Sequence, residues 1–141
     1  MIKRTAEAVW KGTGKEGKGT LQTQSGVLAQ TPYSFTTRFQ GEKGTNPEEL
    51  IGAAHAGCFS MALAFQLSSA GHPPEELRTS ATVVMEEQGG GFTVTESQLV
   101  LTARVPGLDA AKIREFAEKA KAECPISRLL KAKISLEIRA S

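Results

Sequence analysis

Thr45-Asn-Pro-Glu-Glu-Leu-Ile-Gly-Ala-Ala-His-Ala-Gly-Cys-Phe-Ser-Met-Ala-Leu-Ala-Phe-Gln-Leu, ending at Leu67, reads as the start and body of one long helix. Asn46 is a good N-cap, since its side-chain oxygen can accept from a free backbone N–H. Pro47 suits the first helical position, where a missing N–H costs nothing. Glu48 and Glu49 place negative charge at the positive end of the helix. From Leu50 to Leu67 no residue is charged. A helix apolar nearly all round belongs inside a protein. The stretch is short for a membrane span and rich in Gly, Ala and His, so no membrane is expected. Cys58 lies in its middle. On a helical wheel it shares a face with Ile51, Ala54, His55 and Glu48, while Glu49 points away.

Outward from this helix the chain reads as strands. Before it, Lys3 to Trp10 and Lys18 to Gln24 read as a hairpin across the Gly/Lys-rich turn 11–17. Tyr33 to Phe39 alternates aromatic and polar residues and reads as a third extended segment entered at Pro32. After it, Gly71 is the expected C′ residue, with Pro73-Pro74 forbidding continuation. Leu77 to Glu87 and Phe92 to Val105 read as strands around Gly89-Gly90-Gly91. Asp109 caps an amphipathic helix whose apolar stripe is Ile113, Phe116, Ala117 and Ala120. It ends near Cys124-Pro125, and Ile126 to Leu130 turns into a last strand, Lys133 to Arg139. The order predicts an α+β fold built from hairpins, one domain over residues 1–141. An apolar helix needs cover that one sheet and one amphipathic helix supply poorly. A second copy of the chain is the simplest cover, so a homodimer is expected.

Composition excludes several classes. A net charge of +2, without a basic cluster interleaved with aromatics, argues against nucleic acid. The start is charged and carries no signal-peptide pattern, which predicts a cytoplasmic protein. The two cysteines, Cys58 and Cys124, match no zinc spacing and no Cys-x-x-Cys pair, so no metal is expected. In a reducing compartment a transient catalytic disulfide is compatible with them, a permanent one is not.

The residues alone leave three readings open. A cysteine on an apolar helix is commonly a packing residue, which would make this a dimeric binding protein with inert thiols. His55, one turn before Cys58, would give a Cys–His hydrolase, although no acid stands out to orient it. A redox thiol needs a cation nearby, because a thiol of ordinary pKa is a weak nucleophile at neutral pH.

The stretch Thr45 to Leu63 resembles the signature of the OsmC/Ohr family of thiol peroxidases. Cys124-Pro-Ile-Ser127 resembles the family's second cysteine motif. Ser25-Gly-Val-Leu, Tyr33-Ser-Phe-Thr-Thr-Arg-Phe and Gly41-Glu-Lys-Gly-Thr-Asn-Pro resemble its OsmC (osmotically inducible protein) branch. The resemblance implies an intertwined α+β homodimer with antiparallel sheets around long central apolar helices. It implies a peroxidase that reduces organic hydroperoxides to alcohols, in defence against oxidative stress. Cys58 matches the peroxidatic cysteine, which becomes a sulfenic acid, and Cys124 the resolving cysteine, which closes an intrachain disulfide. Arg38 matches the arginine that stabilises the thiolate, and Glu48 the carboxylate that positions that arginine. No prosthetic cofactor is implied; the reductant is an external dithiol, a dihydrolipoyl group in the related branch. Phe39, Phe59, Met61 and Ile126 are candidates to line an apolar substrate site. Arg128 reads equally as a group behind the site or as a surface residue, and Trp10 as a packing residue.

Overall fold

The computed structural model describes residues 1–139. The chain divides into two compact units, Met1–Leu50 and Ile51–Ser141.

The first unit holds an antiparallel sheet of β1 (Ala6–Lys11), β2 (Lys18–Thr23) and β3 (Thr31–Tyr33), in that order. Pro32 sits in the edge strand β3, where a missing donor is tolerated. Trp10 and Tyr33 meet at 5.4 Å between ring centroids. Between them lies Gly19, where a Cβ would run into both rings. Trp10 is thus the packing residue its strand position suggested.

The segment after β3 departs from the expected strand. Residues Phe35–Phe39 form a short helix, α1. Ser34 caps it: its Oγ accepts from the Thr37 N–H at 3.3 Å, and the Ser34 N–H donates to Thr37 Oγ1 at 2.9 Å. This reciprocal capping box outweighs the aromatic–polar alternation. Helical spacing also stacks Phe35 on Phe39, with centroids 4.9 Å apart.

Helix α2 (Pro47–Ser69) begins as the sequence predicts. Asn46 Oδ1 accepts from the Glu49 N–H at 2.8 Å. It ends in a Schellman motif: Gly71 has φ 84°, His72 N–H donates to Leu67 O at 2.8 Å, and Gly71 N–H to Ser68 O at 3.0 Å. With 23 residues and an 18-residue stretch of mean hydropathy 1.5, the helix is after all long and apolar enough to cross a membrane by length and composition. Within the second unit its buried stripe runs Gly52, His55, Phe59, Leu63 and Leu67, and Phe59, Leu63 and Leu67 join the hydrophobic core. The opposite stripe is open: Met61 is 64% and Phe65 67% exposed.

The second unit's sheet has the order β4 (Glu76–Gln88), β5 (Gly91–Arg104), β6 (Lys133–Arg139). Gly89 and Gly90, with φ 59° and 84°, form the two-residue turn between β4 and β5. Positive φ at both central positions matches the right-handed twist of the strands. Strand β6 pairs with β5 in parallel, so this sheet is mixed rather than antiparallel. The reason is the connection: α3 (Ala110–Glu123) and α4 (Pro125–Leu129) carry the chain back over the sheet. Asp109 caps α3, accepting from the Lys112 N–H at 2.8 Å. Ala117 and Ala120 of α3 are fully buried against Leu99, Leu101 and Ala103 of β5 and the α2 stripe.

Candidate active site

Helix α2 holds Cys58 half-buried, and the α3–α4 junction holds Cys124 at 1% exposure. Both thiols are free. Cys58 packs against the core cluster that contains Cys124. Burial pushes the Cys58 thiol above its ordinary range; the Ile126 backbone N–H pulls it part of the way back, and Cys124 adds to the rise. The Ile126 side chain packs on the core.

Cys124 doubles as the N-cap of α4, its Sγ accepting from the Ser127 N–H at 3.3 Å. The Ser127 hydroxyl stands 3.1 Å from the same sulfur. His55 Nε2 lies 2.8 Å from Ser127 Oγ, and His55 Nδ1 lies 2.7 Å from Ser97 Oγ on β5. His55 and Ser97 are wholly buried, and Ser127 nearly so. Burial holds the His55 pKa below its ordinary value, so the ring is neutral at neutral pH. Both ring nitrogens are engaged by serines, not by Cys58, which removes the basis of a Cys–His hydrolase. His55 is a satisfied core histidine; Ser97 carried no sequence signal beyond an inward position on a strand.

In the first unit Arg38, on α1, meets Glu48, on the first turn of α2. Arg38 Nη2 donates to Glu48 Oε1 at 2.7 Å, and Nε donates to Oε1 and Oε2 at 3.0 and 3.3 Å. Glu48 is the more buried partner, 12% exposed against 38%. The guanidinium also lies 5.2 Å over the Phe39 ring. Arg38, Trp10, Tyr33, Phe35 and Phe39 line a cleft of about 460 Å³. Phe39 lines this cleft together with Trp10, Tyr33 and Phe35, which the helical α1 brings to it. Phe59 is wholly buried in the core, and Met61 lies on the exposed face of α2. Glu49 accepts from Thr45 Oγ1 at 2.9 Å, as an ordinary first-turn acid. Arg128 is exposed, and His72 lies in the loop after α2. Among the described residues no group of three or more His, Cys, Asp or Glu is placed to hold a metal.

A half-buried helical thiol beside a buried second thiol, on an α+β scaffold, defines a dithiol protein with the makings of a redox centre. The family model described as "OsmC-like protein" matches residues 40–139, and the chain belongs to the OsmC family. It is 52% identical over 136 residues to the peroxiredoxin OsmC of Escherichia coli, covering 96% of this chain and 95% of that one. It is 31% identical to the organic hydroperoxide resistance protein of Xanthomonas axonopodis pv. citri, covering 95% and 92%. The crystal structure of the organic hydroperoxide resistance protein OhrB of Bacillus subtilis shares the fold, with a TM-score of 0.73 at 24% identity over 97% of this chain and 98% of that one.

Proposed function

We propose that this chain is a thiol-dependent peroxidase that reduces organic hydroperoxides to alcohols through Cys58 and Cys124, protecting the cell from oxidative stress. The Cys58 thiolate attacks the peroxide O–O bond, an alcohol leaves, and Cys58 becomes a sulfenic acid. Cys124 then displaces the hydroxyl, closing a disulfide and releasing water. An external dithiol, such as a dihydrolipoyl group, reduces that disulfide, and no prosthetic cofactor takes part. The observation that carries this reading is that both thiols are free and that Cys58 packs against the core cluster holding Cys124; the relatives named peroxiredoxin and organic hydroperoxide resistance protein support it.

In this reading Arg38 is the cation of the mechanism. Burial alone makes the Cys58 thiol a poorer nucleophile, so a fixed positive charge is needed to favour the thiolate and the departing alkoxide. Arginine never loses its charge, and its planar fork is held by Glu48 through two nitrogens. The aromatic cleft beside Arg38 suits the organic tail of a hydroperoxide, which gains by leaving water. The two units act as one functional domain within an intertwined homodimer, the open α2 stripe of Met61 and Phe65 being covered by the partner. A reducing compartment, the cytoplasm, keeps both thiols ready between cycles.

The test is a thiol count. Reduced protein freed of reductant receives one equivalent of an aryl hydroperoxide, and free thiols are titrated while the cross-linked peptide is identified by mass. Rapid loss of both thiols into a Cys58–Cys124 bond is expected. Persistence of both thiols would leave a binding protein with inert cysteines.

A further inference from the structure

The chain of side chains from Ser97 through His55 and Ser127 to Cys124 has no part in the peroxidase cycle as set out above. Its placement is costly. His55 occupies the buried stripe of α2 one turn before Phe59, and Ser97 occupies the inward row of β5 two residues before Leu99. Apolar residues at these positions would extend the core without removing polar groups from water. Among the described residues, these polar atoms are satisfied by one another and by a single sulfur. The groups that face His55 are two hydroxyls, one from β5 and one from α4, and burial is the sole influence on its pKa. The chain thus ends on Cys124 and nowhere else.

Cys124 has a need that this chain meets. To attack the oxidised sulfur of Cys58 it must shed its proton, and at 1% exposure it cannot hand that proton directly to bulk water. We propose that Ser127, backed by His55 and Ser97, takes the proton of the Cys124 thiol as that thiol attacks the Cys58 sulfenic acid. The inference rests on the two-cysteine cycle.

A neutral imidazole has one donor and one acceptor nitrogen. With the proton on Nδ1, its N–H donates to Ser97 Oγ, and Nε2 accepts from the Ser127 hydroxyl. Ser127 Oγ in turn accepts from the Cys124 S–H. As Cys124 attacks, its proton passes to Ser127 Oγ and the Ser127 proton passes to Nε2. The S–S bond forms, the Cys58 S–O bond breaks, and hydroxide departs. The buried imidazolium is a strong acid for a histidine, so its Nε2 proton returns to Ser127 Oγ as the Ser127 hydroxyl gives its own proton to that hydroxide. Disulfide and water are the products, and the relay returns to its neutral state. Ser127 touches the reacting sulfur and is catalytic; His55 and Ser97 are positioning residues that act through it.

The experiment follows the resolution step. Reduced protein is mixed rapidly with one equivalent of cumene hydroperoxide, dimedone traps the Cys58 sulfenic acid at timed intervals, and disulfide is quantified by mass. In Ser127→Ala the sulfenic acid should persist at least tenfold longer than in the wild type. Its resolution should also become steeply faster with rising pH, because hydroxide must now remove the proton. Ser127→Thr, which keeps a hydroxyl, should restore the wild-type lifetime and pH profile. Resolution in Ser127→Ala at the wild-type rate and with the wild-type pH profile overturns the proposal. Should that variant misfold, the wild type in mixtures of light and heavy water decides: a curved dependence of the resolution rate on deuterium content reports two protons in motion, and a straight line overturns the relay. A wild type that forms sulfenic acid but never a disulfide refutes the two-cysteine cycle itself, and the relay with it.

Discussion

Arg38 Nη2 stands 2.7 Å from Glu48 Oε1, and Nε of the same guanidinium stands 3.0 Å from that oxygen. The two contacts fix the plane of the guanidinium, which a single contact would leave free to rotate. Arg38→Ala should slow the first oxidation of Cys58 by about 10²–10³-fold, the usual loss when a preorganised positive donor is removed. Glu48→Gln, which keeps size but removes charge, should slow it less. Stopped-flow single turnovers with an aryl hydroperoxide measure both. Unchanged rates in Arg38→Ala would take this residue out of the mechanism.

His55 makes stability depend on pH in a definite direction. Its folded pKa lies below the ordinary value of 6.5, because burial disfavours the imidazolium. Above pH 6.5 the ring is neutral in both folded and unfolded chains, and its contribution is fully present. As pH falls below that value the unfolded chain binds a proton that the folded chain refuses. Stability then declines by up to about 1.4 kcal/mol per pH unit until the folded pKa is passed. Urea midpoints between pH 7.5 and pH 5 should fall accordingly. An NMR titration should find the His55 ring titrating below the ordinary histidine range, and a normal His55 titration would contradict the structure.

Met61 and Phe65 form an apolar stripe on the outer face of α2, more than half exposed in the isolated chain. If a second copy covers them, the wild type sediments as a dimer at micromolar concentration. Met61→Glu with Phe65→Glu should then shift the sedimentation coefficient to that of a monomer, since two buried charges per chain are too costly to keep. A monomeric wild type would remove the dimer from the functional reading.

The helix ends and the strand order were legible in the sequence because each has a local chemical marker. Asn46-Pro47 and Gly71 act through atoms within a turn of themselves, and Lys133 to Arg139 is a strand with the predicted bounds. The Phe35–Phe39 helix was misread because aromatic alternation and the Ser34–Thr37 capping box compete over the same residues, and the alternation is the more visible. The parallel pairing of β6 was not legible, since strand periodicity carries no direction. At the site, Cys58 and Cys124 were found through motif resemblance, and the ion pair of Arg38 with Glu48 has the partners expected. Ser97 lay beyond sequence reasoning: a serine in an alternating strand has nothing to distinguish it until the histidine it bonds is placed.

The mixed sheet imposes an order of assembly on the chain. The Gly89–Gly90 turn lets β4 and β5 pair between residues close in sequence, the kind of contact that forms quickly. Strand β6 can join only after α3 and α4 have been made and folded back, because Glu96 pairs with Lys133 across that whole excursion. Cys124 and Ser127 ride on this late-closing segment. During synthesis the nascent chain therefore presents Cys58 before its companion thiol exists, and the dithiol centre is completed only when the final strand docks.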